Sequence, residues 1–93
     1  MPEPDESPDM DAIARKFGET VRALRHERGM TQERLAELTG VSRNQIQNIE
    51  HSRNNTTDEF GRHGRANPTL DTIWALAYAL DVDVTDLLRR DVS

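Results

Sequence analysis

The segment from Thr31 to Glu50, TQERLAELTGVSRNQIQNIE, constrains the fold more than any other part of the 93-residue chain. Thr31 is a good N-cap for a short helix whose inward residues are Leu35, Ala36 and Leu38, and Gly40 breaks that helix. Ser42 and Gln45 form a capping box that starts the next helix, which runs to about His51 with Ile46 and Ile49 facing inward. Two short helices that cross steeply need a small side chain where they approach, which is Ala36. They also need a residue that tolerates positive φ in the turn, which is Gly40. Val41, Ile46 and Ile49 then plug the second helix onto the first and onto whatever lies beneath both.

The flanking sequence supplies what lies beneath. Ile13, Phe17, Val21 and Leu24 recur at helical spacing and predict a helix from about residue 11 to Arg28, ended by Gly29. Beyond residue 51, the stretch 52–68 is rich in Asn, Thr, Gly and Arg, with Phe60 its only large apolar side chain, so it reads as an extended loop. Thr69 caps a fourth helix whose buried face is expected to hold Leu70, Ile73, Trp74, Ala77 and Leu80. Asp83 caps a last short helix carrying Val84, Leu87 and Leu88. No strand pattern competes, and the expected fold class is all-α, with five helices and a long loop between helices 3 and 4. Residues 1–10 carry three prolines and no apolar period, which predicts a disordered acidic tail; the helical domain is expected over 11–91.

Charge is unevenly distributed. The formal total is -5, but residues 1–11 hold five acidic groups and no basic one, while residues 12–65 hold ten basic against seven acidic. Residues 66–93 return to an acidic balance of two basic against five acidic. Local field rather than total charge decides whether a phosphate backbone is attracted, so a polyanion-binding middle remains open to this chain. Without cysteine there is no disulfide framework, thiolate nucleophile or thiolate metal site. No stretch approaches the roughly 20 apolar residues that cross a bilayer, and no signal-peptide pattern opens the chain; the expectation is cytoplasmic, with no membrane partner. His26, His51 and His63 lack a zinc-type helical pairing, and nothing sets a nucleophile beside a base, so neither cofactor nor catalysis is expected.

With Ile46 and Ile49 turned inward, the helical period turns Arg43, Asn44, Gln47 and Asn48 outward. Arg can donate a bidentate pair to guanine O6 and N7, while Asn or Gln can pair bidentately with adenine. A merely solvated face would more often carry Glu and Lys, whereas this one has no carboxylate before Glu50. Residues 31–51 therefore read as a helix-turn-helix whose second helix suits the major groove of double-stranded DNA.

On these residues the chain resembles the Cro/C1-type, or XRE, family of phage and bacterial regulators, over roughly residues 13–90. The likeness is carried by RxxRGMTQERLAELTGVSRNQIQNIE from Arg25 and by NPTLDTIWALAYALDVDVTDLL from Asn67. It implies a five-helix lambda-repressor-like DNA-binding domain, with Ser42, Arg43, Asn44 and Asn48 facing bases and Gln47 reaching bases or sugar-phosphate. It implies backbone contacts from Thr31 and Gln32, where helix 2 opens, and a structural pair between Arg25 and Glu50 that fastens helix 3 to helix 1. The chain departs from the family in the length of its loop, where Arg53, Arg62 and Arg65 suggest a basic flap over phosphates, as open a reading as a passive insertion.

The function implied is sequence-specific transcriptional regulation, most simply repression from a palindromic operator bound by a homodimer. Leu87 and Leu88, both apolar on a short helix, add to the expectation of a dimer. An antitoxin or a restriction-modification controller would use the same residues. A protein-interaction adaptor that does not bind DNA fits the acidic ends but not the carboxylate-poor face of helix 3.

Overall fold

A computed structural model describes residues 10–52 and 68–88, among which there are five helices: α1 (Met10–Glu27), α2 (Gln32–Thr39), α3 (Arg43–Glu50), α4 (Leu70–Ala79) and α5 (Val84–Leu88). Residues 1–9, 53–67 and 89–93 lie outside the described part, and with them the expected acidic tail and most of the loop. α1 packs against α3 and α5, α2 against α3 and α4, and α4 against α5. Phe17, Val21 and Leu24 of α1 meet Leu35 of α2, Ile46 and Ile49 of α3, Leu76, Ala77 and Leu80 around α4, and Leu87 of α5 in one buried core. Each fully buried Leu or Ile contributes about 1.5–3 kcal/mol by leaving water.

The helix ends follow from local chemistry. Thr31 Oγ1 accepts from the Arg34 backbone N–H at 3.0 Å, and Ser42 Oγ accepts from that of Gln45 at 3.1 Å. Thr69 Oγ1 accepts from the Thr72 N–H at 3.2 Å. In each case a hydroxyl satisfies one of the N–H groups that a helix leaves without an internal partner. α2 closes at Gly40, which takes φ +75° and donates its N–H to the Ala36 carbonyl at 2.9 Å. α1 closes with Gly29 at φ +64°, the Gly29 and Met30 N–H groups donating to the carbonyls of His26 and Arg25. α4 closes in the same way, but with Asp81 rather than glycine in the left-handed conformation, at φ +58°.

Four expected core positions differ. Ile13 and Leu38 are 44% and 45% exposed, and on α4 Leu70 and Trp74 are 72% and 64% exposed. Nearly every residue of LDTIWALAYA is apolar or small, so its composition permits more than one inward stripe. The helix turns Thr72, Leu76 and Leu80 inward with Ala77, and Ile73 lies partly buried beside them. Leu70, Trp74 and Tyr78, at steps of four, form a stripe on the outer side. The Thr69 cap shows why Thr72 can sit inside: the two hydroxyls are 3.1 Å apart, within hydrogen-bond reach. Of the two leucines of α5, Leu87 belongs to the core and Leu88 is exposed.

Candidate nucleic-acid interface

The orientation of α3 decides what the domain can touch. Ile46 is fully buried and Ile49 2% exposed, and both point into the core. The opposite side presents Ser42, Arg43 and Asn44 to solvent, with Gln47 half-buried at its margin. Val41 and Ala36 are half-buried and pack at the turn, where the Val41 N–H donates to Thr39 Oγ1 at 3.1 Å.

Asn48 is placed differently from the expected outward position. It is 9% exposed, and its Nδ2 donates to Asn44 Oδ1 at 3.0 Å. An i, i+4 pair of amides on one helix restrains the outer partner through the inner one, so Asn48 acts on the exposed face by orienting Asn44. The sequence showed the spacing of the two asparagines but not that the period would carry the second beneath the surface.

At the far end of α3 a single guanidinium joins several elements. Arg25 Nε donates to Glu50 Oε2 at 2.7 Å and Arg25 Nη2 to Glu50 Oε1 at 3.0 Å, while Nη1 donates to the Met30 carbonyl at 2.8 Å. Gln32 Nε2 donates to Glu50 Oε1 at 3.1 Å. The Glu50 side chain is 1% and the Arg25 side chain 9% exposed, so this is a buried, charge-assisted cluster. It fixes α1, the turn after it, the first residue of α2 and the last residue of α3 to one another. Gln32 is half-buried with its amide already engaged, which leaves its backbone N–H, at the N-terminal end of α2, as the group suited to an anion. Thr31 beside it is exposed and holds the cap.

Gly18 is a positioning residue that sequence reasoning passed over. A Cβ built there would collide with the Ile49 carbonyl oxygen, so the backbones of α1 and α3 touch at this point. The only signal was a glycine inside an amphipathic helix, a place where glycine is otherwise unfavourable.

Across the turn, Arg43 Nη1 lies 3.7 Å from Glu33 Oε1 of α2, with both side chains exposed. The loop arginines Arg53, Arg62 and Arg65 lie outside the described residues. Among the described residues there is no group of three or more His, Cys, Asp or Glu side chains that could hold a metal ion, and no helix long and apolar enough to cross a membrane.

Known proteins share this arrangement. The family model of the helix-turn-helix domain matches residues 16–90. The immunity repressor protein of Bacillus phage phi105 is 34% identical over 74 residues, covering 80% of this chain and 43% of the repressor. The chain spans about two fifths of the length of the curated relatives it matches. The crystal structure of the restriction-modification controller protein C.AhdI from Aeromonas hydrophila superposes with a TM-score of 0.64 at 34% identity, covering 82% of this chain and 97% of the controller. SinR, a master regulator for biofilm formation solved in complex with DNA, superposes with a TM-score of 0.61 at 26% identity, covering 77% of this chain and 97% of that one. The shared motif, helix order and extent of these matches place the chain in the helix-turn-helix domain family, as a Cro/C1-type (XRE) member with a lambda-repressor-like fold.

Proposed function

We propose that the chain is a sequence-specific DNA-binding transcriptional regulator, a repressor that occupies a palindromic operator as a homodimer. The observation that carries this reading is α3, sealed to the core by Ile46 and Ile49 while Ser42, Arg43 and Asn44 are exposed on its outer side. These are donors and acceptors of the kinds that read base edges in the major groove. Arg43 takes guanine, and Asn44, held by Asn48, takes a neighbouring base; Gln47 works at the edge of the face. The backbone N–H of Gln32 and the Thr31 hydroxyl take a phosphate where α2 begins, and Arg53, Arg62 and Arg65 add charge along the backbone. The likeness to a phage repressor and to a regulator solved with DNA supports the same reading.

The dimer rests on the outer stripe of α4. Tyr78 is 84% and Trp74 64% exposed, with Leu70 on the same side, and Leu88 of α5 is also exposed. Tyr and Trp are enriched at interfaces, and a contiguous exposed apolar stripe suits a partner surface. A two-fold pairing there sets the recognition helices of the two copies into half-sites centred about 10 bp apart. Such a regulator works in the cytoplasm, where its operator is.

Selection of bound sequences from random duplex DNA at two salt concentrations tests the proposal. The expected product is a palindromic consensus retained at the higher salt. Retention that vanishes with salt and enriches no sequence would leave only charge attraction and overturn it.

A further inference from the structure

We infer that Glu33 is a specificity-determining residue, whose carboxylate directs the Arg43 guanidinium toward its base and discourages it from settling on phosphate. The inference rests on the base-reading role proposed for Arg43.

A carboxylate on a surface that must receive a polyanion is unfavourable, so its position needs a reason. The ordinary reason is a favourable interaction of Glu33 with the N-terminal end of α2. Any carboxylate in that turn would supply it. Glu33 does something more particular, because its Oε1 lies 3.7 Å from Arg43 Nη1 across the turn, joining the first turn of α2 to the first residue of α3.

At 3.7 Å the pair is longer than a hydrogen bond, so the guanidinium keeps its donors for a base while its charge is drawn to one side. The side chains are 61% and 73% exposed, and water screens a pair of this kind until it contributes almost nothing to folding. A bias too small for folding still matters for recognition. An unrestrained arginine at a groove edge can take a phosphate of any sequence, which raises affinity without discrimination. Beside Glu33, an arginine turned to phosphate brings two anions together, whereas an arginine paired with guanine keeps its carboxylate neighbour. Glu33 thus weakens attachment to every duplex and widens the gap between the right one and the rest.

The test uses the full chain with Glu33→Gln, Arg43→Ala and the double variant, each titrated with the selected operator and with a random duplex across a salt series. Glu33→Gln keeps the shape of an exposed side chain and gives up only its charge at the start of α2, so its melting temperature should fall by no more than a few degrees. It is expected to tighten binding to the random duplex about two- to fivefold and to steepen the salt slope by up to about one unit. Operator binding should tighten less, so the operator-to-random ratio should narrow, with relaxed preference at the base position that Arg43→Ala also relaxes. In the Arg43→Ala background, Glu33→Gln should strengthen both duplexes alike and leave the ratio unchanged. An unaltered ratio in the single variant, or the same narrowing without Arg43, would overturn the inference. A parent that prefers no sequence at all would instead remove the base-reading proposal beneath it, and the inference with it.

Discussion

Arg25 and Glu50 are each 8% exposed, a placement that charged side chains tolerate only when paired and fully hydrogen-bonded. The bidentate geometry, the Met30 carbonyl and the Gln32 amide meet that condition. Removing one partner strands the other charge, so Arg25→Ala should cost about 3–5 kcal/mol in chemical denaturation. Exchanging both partners, as Arg25→Met with Glu50→Leu, should recover most of the loss; equal destabilisation by the single and double variants would show that the charge pair is not the cause. The pair was legible in the sequence through the family resemblance. The contribution of Gln32 was not, because a glutamine side chain at a helix start can serve solvent, phosphate or a buried carboxylate, and only the packing of α2 on α3 decides. Asn48 was misread for a related reason: the helical period assigns a direction, not a depth.

Among the elements, the helix boundaries were the most legible part, since Thr31, Ser42, Thr69 and Gly40 act through their own backbones and need no tertiary information. The inward face of α4 was not legible, because an almost uniformly apolar helix lacks the contrast that a period requires, and the outcome depended on which stripe fitted the space left by α2 and α5. The packing of α1 on α3 is the least forgiving contact. Gly18→Ala gains about 1 kcal/mol of helix propensity but sets a methyl group against the Ile49 carbonyl. Because backbone rather than a flexible side chain must yield, a net loss of about 1–3 kcal/mol is expected in thermal unfolding. A melting temperature equal to or above the parent's would mean that α1 and α3 do not approach so closely. The same substitution should weaken operator binding further than the folded fraction accounts for, since it tilts the helix proposed to read the groove.

For the whole molecule, the total charge of -5 is a poor guide to the proposed partner, and the division along the chain is a better one: acidic groups dominate residues 1–11 and 66–93, and the basic excess lies in residues 12–65, outside α2 and α3, which themselves hold two basic against three acidic side chains. The all-helical architecture and the buried Ile46 and Ile49 followed from the sequence pattern alone. The proposed mating surface did not, because Trp74 was placed on the buried face of α4, and of the two leucines that favoured a dimer the structure buries Leu87 and exposes Leu88. Two charges on the exposed stripe, Trp74→Glu with Tyr78→Lys, should leave the core intact and yield a monomer by light scattering, with loss of affinity for the two-half-site operator. A variant that stays dimeric would move the interface elsewhere. The reading of DNA bases by α3 is tested most directly by titrating Arg43→Ala against the selected operator and against random duplex at one salt concentration. A loss of about 1–3 kcal/mol on the operator, with relaxed choice at one base position and a much smaller change on random DNA, is expected. An equal loss on both duplexes would show Arg43 to be a backbone contact and contradict the assignment of α3 as the base-reading helix.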